Sequence, residues 1–407
     1  MRNKKAAQKV LSLLLCAVLL TSCSKVETAP EDSADPTGTT TTEANPNTTT
    51  SSPDDITEAP PPSPPEPATV HLVCAGDNLI HSNIYNQASA RANGDGYDFS
   101  YVYERMIPYI INADLAILNQ ETLVTDAYPP SNWPMFCTPE ALGDYMINEM
   151  GFDAISMSNN HVLDQGESGL LSSLDYWDTK HPEVVRYGAY RDEADMNDIR
   201  IKEVNGIRFA FLGYMEHTNG LVNPGTLGTK LIYLNELDLI EEQIKRADEL
   251  ADVVVVSPHY GIEVTNEVTE SQRELTKLFA EWGADLIIGT QPHTIQECEW
   301  VEREDGTRAF VYYCLGNFVS SMDVSISMVG GIGDLEIEMD PLTREISIKE
   351  PKLIPIITHY DAGFQNVRLY PYADYTAELA AAHGCGVSMG LLENVIAHIP
   401  EEFLLIK

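Results

Sequence analysis

With 407 residues and 43% hydrophobic side chains, the chain can bury the core of one large domain or two ordinary ones, which excludes a wholly disordered protein. Its formal net charge of -37, from 62 acidic against 25 basic residues, excludes nucleic acid as the natural partner and favours cations. Seven cysteines without a single CxxC pair exclude a thiolate metal site and a dithiol redox motif.

Arg2, Lys4, Lys5 and Lys9 precede the apolar run "LSLLLCAVLL", the charge-then-apolar order of an export signal, here predicted over residues 1–22. A run of about ten residues is too short to cross a bilayer. "LTSC", Leu20 to Cys23, resembles a bacterial lipobox, so Cys23 is the expected lipidation site; an ordinary cleaved signal with an incidental cysteine is the alternative. The expected location is extracytoplasmic, lipid-anchored to the bacterial cell membrane. Residues 23–68, with "TGTTTTEANPNTTTSSPDD" and "APPPSPPEPA", have the composition of an extended acidic linker reaching up to roughly 130 Å at ~3 Å per residue.

One domain is expected over residues 69–407. The runs "VHLVCAG", "ADLAIL", "FDAISM", "RFAFLGY", "DVVVVS", "ADLIIG" and "FVYYCLG" are short, apolar and often β-branched, which predicts strands. "LNELDLIEEQIKRADELA" has helical spacing, and "TESQRELTKLFAEWG" opens on a Thr cap and stops at Gly283, so an α/β domain follows. After Gly330, "GDLEIEMD" and "EISIKEPKLIPII" predict a hairpin at a sheet edge, and "SMGLLENVIAHIPEEFLLI" a final covering helix. "GGIGDL" precedes a strand and opens no helix, so no nucleotide site is assigned to it. Cys74 and Cys314, inside apolar runs, are expected to be buried thiols.

The polar residues just past the strand-like runs repeat a pattern: Asp77, Asn119 with Glu121, Asn160-His161, His259, Gln291 with His293, and Asn317. Loops at the carboxyl ends of α/β strands converge on one crevice, where ligands bind. Singly, each of these residues has an ordinary role as turn, cap or surface group. Together, two carboxylates, two histidines and an amide supply the oxygen and nitrogen donors that suit one or two divalent ions of the Mn, Fe or Zn type. Glu121 is the natural bridge between ions, His161 a group to donate a hydrogen bond or proton, and Asp164 its orienting partner.

Six motifs, "GDNLIHS", "LNQET", "SNNHVLDQG", "SPHYGIE", "GADLIIGTQPHTIQ" and "YYCLGNFV", also resemble, in order and spacing, the CapA-type poly-γ-glutamate capsule proteins, grouped with the calcineurin-like metallophosphoesterases. The likeness spans residues 70–330 and implies a four-layer α/β/β/α sandwich with a metal site. It also implies a part in capsule polymer biosynthesis, export or anchoring. By motif position it makes Asp77, Glu121, Asn160, His259 and His293 metal ligands and His161 the catalytic-type histidine. Two positions depart from the superfamily pattern. Leu79 stands where Asp-x-His is usual, with His81 close by, and Gln291 stands where a histidine is frequent, offering only a weaker neutral oxygen.

Two readings of function follow: metal-dependent hydrolysis or transfer on an anionic capsule polymer, and non-catalytic polymer binding or assembly through a degenerate site. A phosphoesterase acting on nucleotides or teichoic-type phosphodiesters is a third. Asn119, Asn317 and the loop residues Glu216, His217 and Asn219 are candidates for substrate contact. Trp133 and Phe136 are candidates for an aromatic lip, and Arg186, Arg191 and Arg273 for contact with an acidic substrate. His71, His181, His359, His383 and His398 are given no role.

Overall fold

The computed structural model describes residues 66–407; the expected signal, Cys23 and nearly all of the linker lie outside the described residues. All seven apolar runs form strands, beginning with Ala68–Asn78. Four of them start with the same device. Asp114, Asp153, Asp252 and Asp285 each stand just before a parallel strand and accept the backbone N–H of His71, Ala116, Arg208 and Val254 on the neighbouring strand, at 2.9–3.0 Å. A carboxylate fixed to a neighbouring backbone sets the register of the pair, and a one-residue slip would turn every side chain to the other face. The opposite ends of these strands, where the polar residues lie, are therefore aligned from below.

Among the described residues the strands form an eight-stranded sheet and a six-stranded sheet, plus a two-stranded ribbon. In the first, Ala68–Asn78 lies between Leu115–Asn119, which is parallel, and Val329–Met339, which is antiparallel. In the second, Val253–His259 lies between Ile207–Met215 and Leu286–Ile288, both parallel. Side-chain alternation in the second sheet separates two cores. Phe209, Phe211, Val253, Val255, Phe310 and Tyr312 share one with the first sheet. Ala210, Leu212, Val254, Val256 and Val311 pack in the other with Ile240 and Ile244 of helix Leu237–Leu250 and Phe279 of helix Glu270–Trp282. Helices Ser82–Arg91, Glu140–Asn148 and Gly166–Lys180 add Ile84, Met146, Leu170 and Trp177 to the first core, which completes the expected α/β/β/α order. Helix Glu270–Trp282 has the expected Thr cap and stops at Gly283, at φ 118°; the structure adds a capping box between Thr269 and Gln272.

Two expectations change near the C-terminus. The predicted hairpin, Val329–Met339 with Ile346–Asp361, is not the edge, because Gln365–Pro371 adds a further antiparallel strand outside it. The final helix covers only Met389–Ile396, since Pro400 disfavours helical backbone in the residue before it and lacks an amide donor. The chain then turns, and Leu404 bridges to Leu353. The glycines of "GGIGDL" lie within Val329–Met339 and allow close packing; a Cβ on Gly330 would stand 1.8 Å from the Asn317 carbonyl oxygen. Cys74, Cys137, Cys298, Cys314 and Cys385 are free thiols, all but the half-exposed Cys385 buried.

Gly76 brings the first strand against the short strand Asn317–Val319, pairing Asp77 with Asn317. A Cβ at Gly76 would lie 1.9 Å from the Gly316 carbonyl oxygen, so Gly76→Ala is expected to destabilise the domain by about 3 kcal/mol, read by urea unfolding. At the other end of the strands, Asp252 joins the sheets by binding Arg208 and the hairpin residue Arg344, at 3.1 and 2.6 Å. Burial opposes its charge, but hydrogen bonds from the two guanidiniums outweigh that and lower the carboxyl from 3.8 to about 2. A depressed folded value gives stability that is present above the unfolded value and disappears as pH falls through the folded one. Asp252→Asn is expected to cost about 1 kcal/mol at neutral pH, given solvent screening of the arginines, with the difference from the parent closing at the acid end of a pH series.

Candidate metal centre

The strand ends bring together Asp77, Glu121, Asn160, His259 and His293. Asp77 ends the first strand, and its Oδ1 accepts Asn119 Nδ2 at 2.6 Å. Its Oδ2 accepts the backbone N–H of Gln291 at 3.3 Å and lies 3.1 Å from His293 Nδ1. Glu121, two residues beyond Leu115–Asn119, is 0% exposed, and neither of its oxygens has a hydrogen-bond partner. Its Oε1 instead faces three imidazole nitrogens: His293 Nε2 at 3.8 Å, His259 Nε2 at 3.9 Å and His161 Nε2 at 4.0 Å. These separations are too long for hydrogen bonds. For Glu121, His259 and His293 they match ligand atoms around one ion, which lie roughly 3–4 Å apart when each is about 2.0–2.2 Å from the metal.

Neighbours orient each imidazole so that Nε2 points inward. Thr290 Oγ1 lies 2.8 Å from His259 Nδ1, and Asn317 Oδ1 lies 3.0 Å from His293 Nδ1. Asp164 Oδ2 lies 2.7 Å from His161 Nδ1, as the sequence predicts. With Nδ1 held by these neighbours, Nε2 of each ring faces Glu121, and for His259 and His293 this is the arrangement in which histidine binds metal. Asn160 Oδ1 completes the set, 3.2 Å from His259 Nε2. Asp77, Glu121 and His293 place one ligand atom each within 4.8 Å of one another.

Without a cation, the centre must hold protons to offset its two buried carboxylates. Burial, reinforced by Asp77, raises the Glu121 carboxyl well above its usual range. Burial pushes the His259 imidazole down to about 3, leaving it a neutral donor. Burial also opposes a charge on His293, but the carboxylates of Glu121 and Asp77 outweigh it and raise the imidazole to about 10. A buried carboxylate without donors is costly, and a divalent ion would remove that cost. The residues therefore fit a divalent cation.

Other candidates take different places. Asn119 and Asn317, candidates for substrate contact, instead support Asp77 and His293. His217 is exposed on the loop after Ile207–Met215, where its Nδ1 accepts the Asn219 N–H at 3.3 Å. Gln291 donates Nε2 to Glu263 at 3.2 Å and its backbone N–H to Asp77, while its Oε1 is buried without a partner. Phe136 is no lip: it is buried edge-on against His161 at 4.7 Å, while Trp133 alone stands 70% exposed. Arg186, Arg191 and Arg273 are each paired with acidic residues rather than open to an anion. Sequence reasoning missed Thr290, which aligns His259, and Glu263, which holds Gln291. An isolated threonine or glutamate past a strand gives no signal of such a role. His81 lies 5.2 Å from the Phe136 ring, and its imidazole is pushed down to about 4 by burial and by His293 and His161.

The fold and the site define a class: a four-layer α/β sandwich with a buried divalent-metal centre of carboxylate, imidazole and amide donors at its strand ends. Residues 71–322 match the model of the bacterial capsule synthesis protein PGA_cap, and the chain belongs to that family. It is 29% identical over 235 residues to a capsule biosynthesis protein CapA of Bacillus anthracis, covering 55% of this chain and 54% of that one. It is also 29% identical over 174 residues to the PGA biosynthesis protein CapA of Bacillus subtilis (strain 168), covering 43% and 44%. The matches thus span about half the length of these curated relatives. Among solved structures, a phosphatase from Mycoplasma pneumoniae aligns over 71% of this chain and 94% of its own, with 14% identity and a TM-score of 0.42. A 5'-nucleotidase from Candida albicans SC5314 aligns over 70% and 51%, with 12% identity and a TM-score of 0.36.

Proposed function

We propose that this chain acts in the biosynthesis, export or anchoring of an anionic capsule polymer of the poly-γ-glutamate kind, by metal-dependent hydrolysis or transfer at the strand-end centre. The observation that carries this reading is the Glu121 carboxylate, buried without donors and facing three imidazoles at 3.8–4.0 Å. Glu121, His259, His293, Asn160 and Asp77 would hold the ion. Bound there, a divalent cation supplies positive charge for an amide or phosphoryl oxygen and an acidified water. His161, held at Nδ1 by Asp164, takes or returns a proton at Nε2. It is 6% exposed where Glu121 and Asp77 are 0%.

The chain's net charge of -37 repels a polyanion at long range, and the three candidate arginines are already paired. Contact with an acidic polymer then falls to the metal. Anchoring through lipid on Cys23 agrees with this role, and no helix among the described residues is long and apolar enough to cross a membrane.

The second reading, a non-catalytic polymer-binding or assembly protein, is favoured by one observation: the neutral Gln291, its amide nitrogen bound to Glu263, offers at most a weak oxygen donor. The deciding experiment supplies Mn, Zn or Mg to the purified protein and assays γ-glutamyl and phosphodiester substrates together with polymer binding. Metal-dependent turnover of a γ-glutamyl substrate supports the first reading. Polymer binding with no turnover of any substrate supports the second, and turnover of phosphodiesters alone removes the polymer from both.

A further inference from the structure

Asn160 can serve the centre only with the right end of its amide turned inward. The two ends of an amide have nearly the same shape, so a neighbour's hydrogen bond decides which one faces the ion. That neighbour is Asn219, at φ 52° on the loop after Ile207–Met215, whose Oδ1 accepts Asn160 Nδ2 at 3.3 Å. Asn160 Oδ1 is thereby turned toward His259 Nε2 and the three-imidazole face of Glu121.

The far end of the loop that carries Asn219 is bound by a buried carboxylate. Glu167, in the first turn of helix Gly166–Lys180, is 6% exposed. One of its oxygens accepts Thr226 N at 3.0 Å and Thr226 Oγ1 at 2.9 Å. The other accepts Leu227 N at 2.8 Å, Thr229 Oγ1 at 2.9 Å and Thr229 N at 3.3 Å. Five donors on one carboxylate leave it little capacity for any other partner, and all five come from the loop. Glu167 lies three residues beyond Asp164, so the segment that orients His161 also fixes the far end of the loop.

We propose that Glu167 and Asn219 are positioning residues of the metal centre: Glu167 templates the loop, and Asn219 fixes the Asn160 amide with its oxygen toward the cation, so that together they set cation affinity. The proposal rests on the reading of the centre given under Proposed function. Loss of such an outer partner typically costs about tenfold or more in metal affinity.

The test measures Mn(II) affinity by calorimetry on the full chain. Asn219→Ala is expected to weaken binding about tenfold, whereas Asn219→Asp, which keeps an oxygen to accept Nδ2, stays within about threefold of the parent. Glu167→Gln sets an amide donor against the loop's own donors. In the metal-free protein it is expected to speed deuterium exchange at the amides of residues 226–229, and to weaken Mn(II) binding as Asn219→Ala does. The double variant should lose no more than either single one, because both act through Asn160. Unchanged affinity in Asn219→Ala, or an Asn219→Asp as weak as Asn219→Ala, overturns the proposal. So does faster exchange in Glu167→Gln with parental affinity. A Glu167→Gln that fails to fold leaves the decision to the Asn219 pair. A parent that takes up no Mn(II), Zn(II) or Mg(II) overturns the metal reading and this proposal with it.

Discussion

Glu121→Gln is expected to do two opposite things: abolish metal uptake, and make the metal-free protein more stable than its parent. The first follows from losing the one anionic group that faces His161, His259 and His293 together. The second follows from the cost of that group when no cation is present. Burial and the neighbouring Asp77 raise the Glu121 carboxyl well above 4.5, so the folded chain holds a proton that the unfolded chain has released. Between 4.5 and the raised value, stability therefore falls as pH increases. A glutamine has the same shape, carries no charge and escapes this penalty. The variant should gain about 2 kcal/mol at neutral pH in chelator, with the gain shrinking toward pH 4–5. Urea unfolding across a pH series, beside elemental analysis, checks both effects. A variant less stable than its parent in chelator would show that Glu121 has partners this geometry does not give it.

His161→Ala is expected to reduce turnover by about a thousandfold while ion content stays at the parental level. Asp164 fixes the ring through Nδ1 at 2.7 Å, and Nε2 lies 4.0 Å from Glu121 Oε1, the widest of the three imidazole separations. The ring is thus held with its Nε2 toward Glu121 and its Nδ1 on Asp164. Asp164 is a poorer site for the same test, because its Oδ2 also accepts the Phe136 N–H at 2.6 Å and a substitution would release that loop as well. Steady-state kinetics with parallel metal analysis reads the result. Loss of the ion together with activity would make His161 a ligand, and parental turnover would remove it from the chemistry.

What the sequence disclosed follows from how each strand is covered. The seven runs recognised as strands are interior to the two sheets, buried on both faces and therefore apolar throughout. The strands that escaped recognition include all four edges: Val185–Tyr187, Arg200–Val204, Cys298–Glu302 and Gln365–Pro371. Arg200–Val204, "RIKEV", alternates between exposed and half-buried positions and reads as a polar stretch. The same logic misplaced the edge of the first sheet, since "QNVRLYP" carries too few apolar residues to stand out beyond the hairpin. For the site, residue type and position past an apolar run were enough to single out Asp77, Glu121, Asn160, His161, His259 and His293, which the fold gathers at the strand ends. Roles that depend on which atom faces which neighbour were not legible. Asn119 and Asn317 have the same composition signal whether they meet a substrate or a ligand's far side, and only coordinates separate the two.

The pairing of Asp77 with Asn317 joins points some 240 residues apart, and Gln291 and His293 reach Asp77 across almost as great a span. During synthesis, the emerging chain has the first carboxylate early but lacks His259 and His293 until well past the middle of the domain. An ion cannot seed folding of this protein from its beginning, and any nascent or truncated product that stops short of His293 is left without the pocket. Loading with metal is thus an event of the finished domain, in whichever compartment it completes its fold.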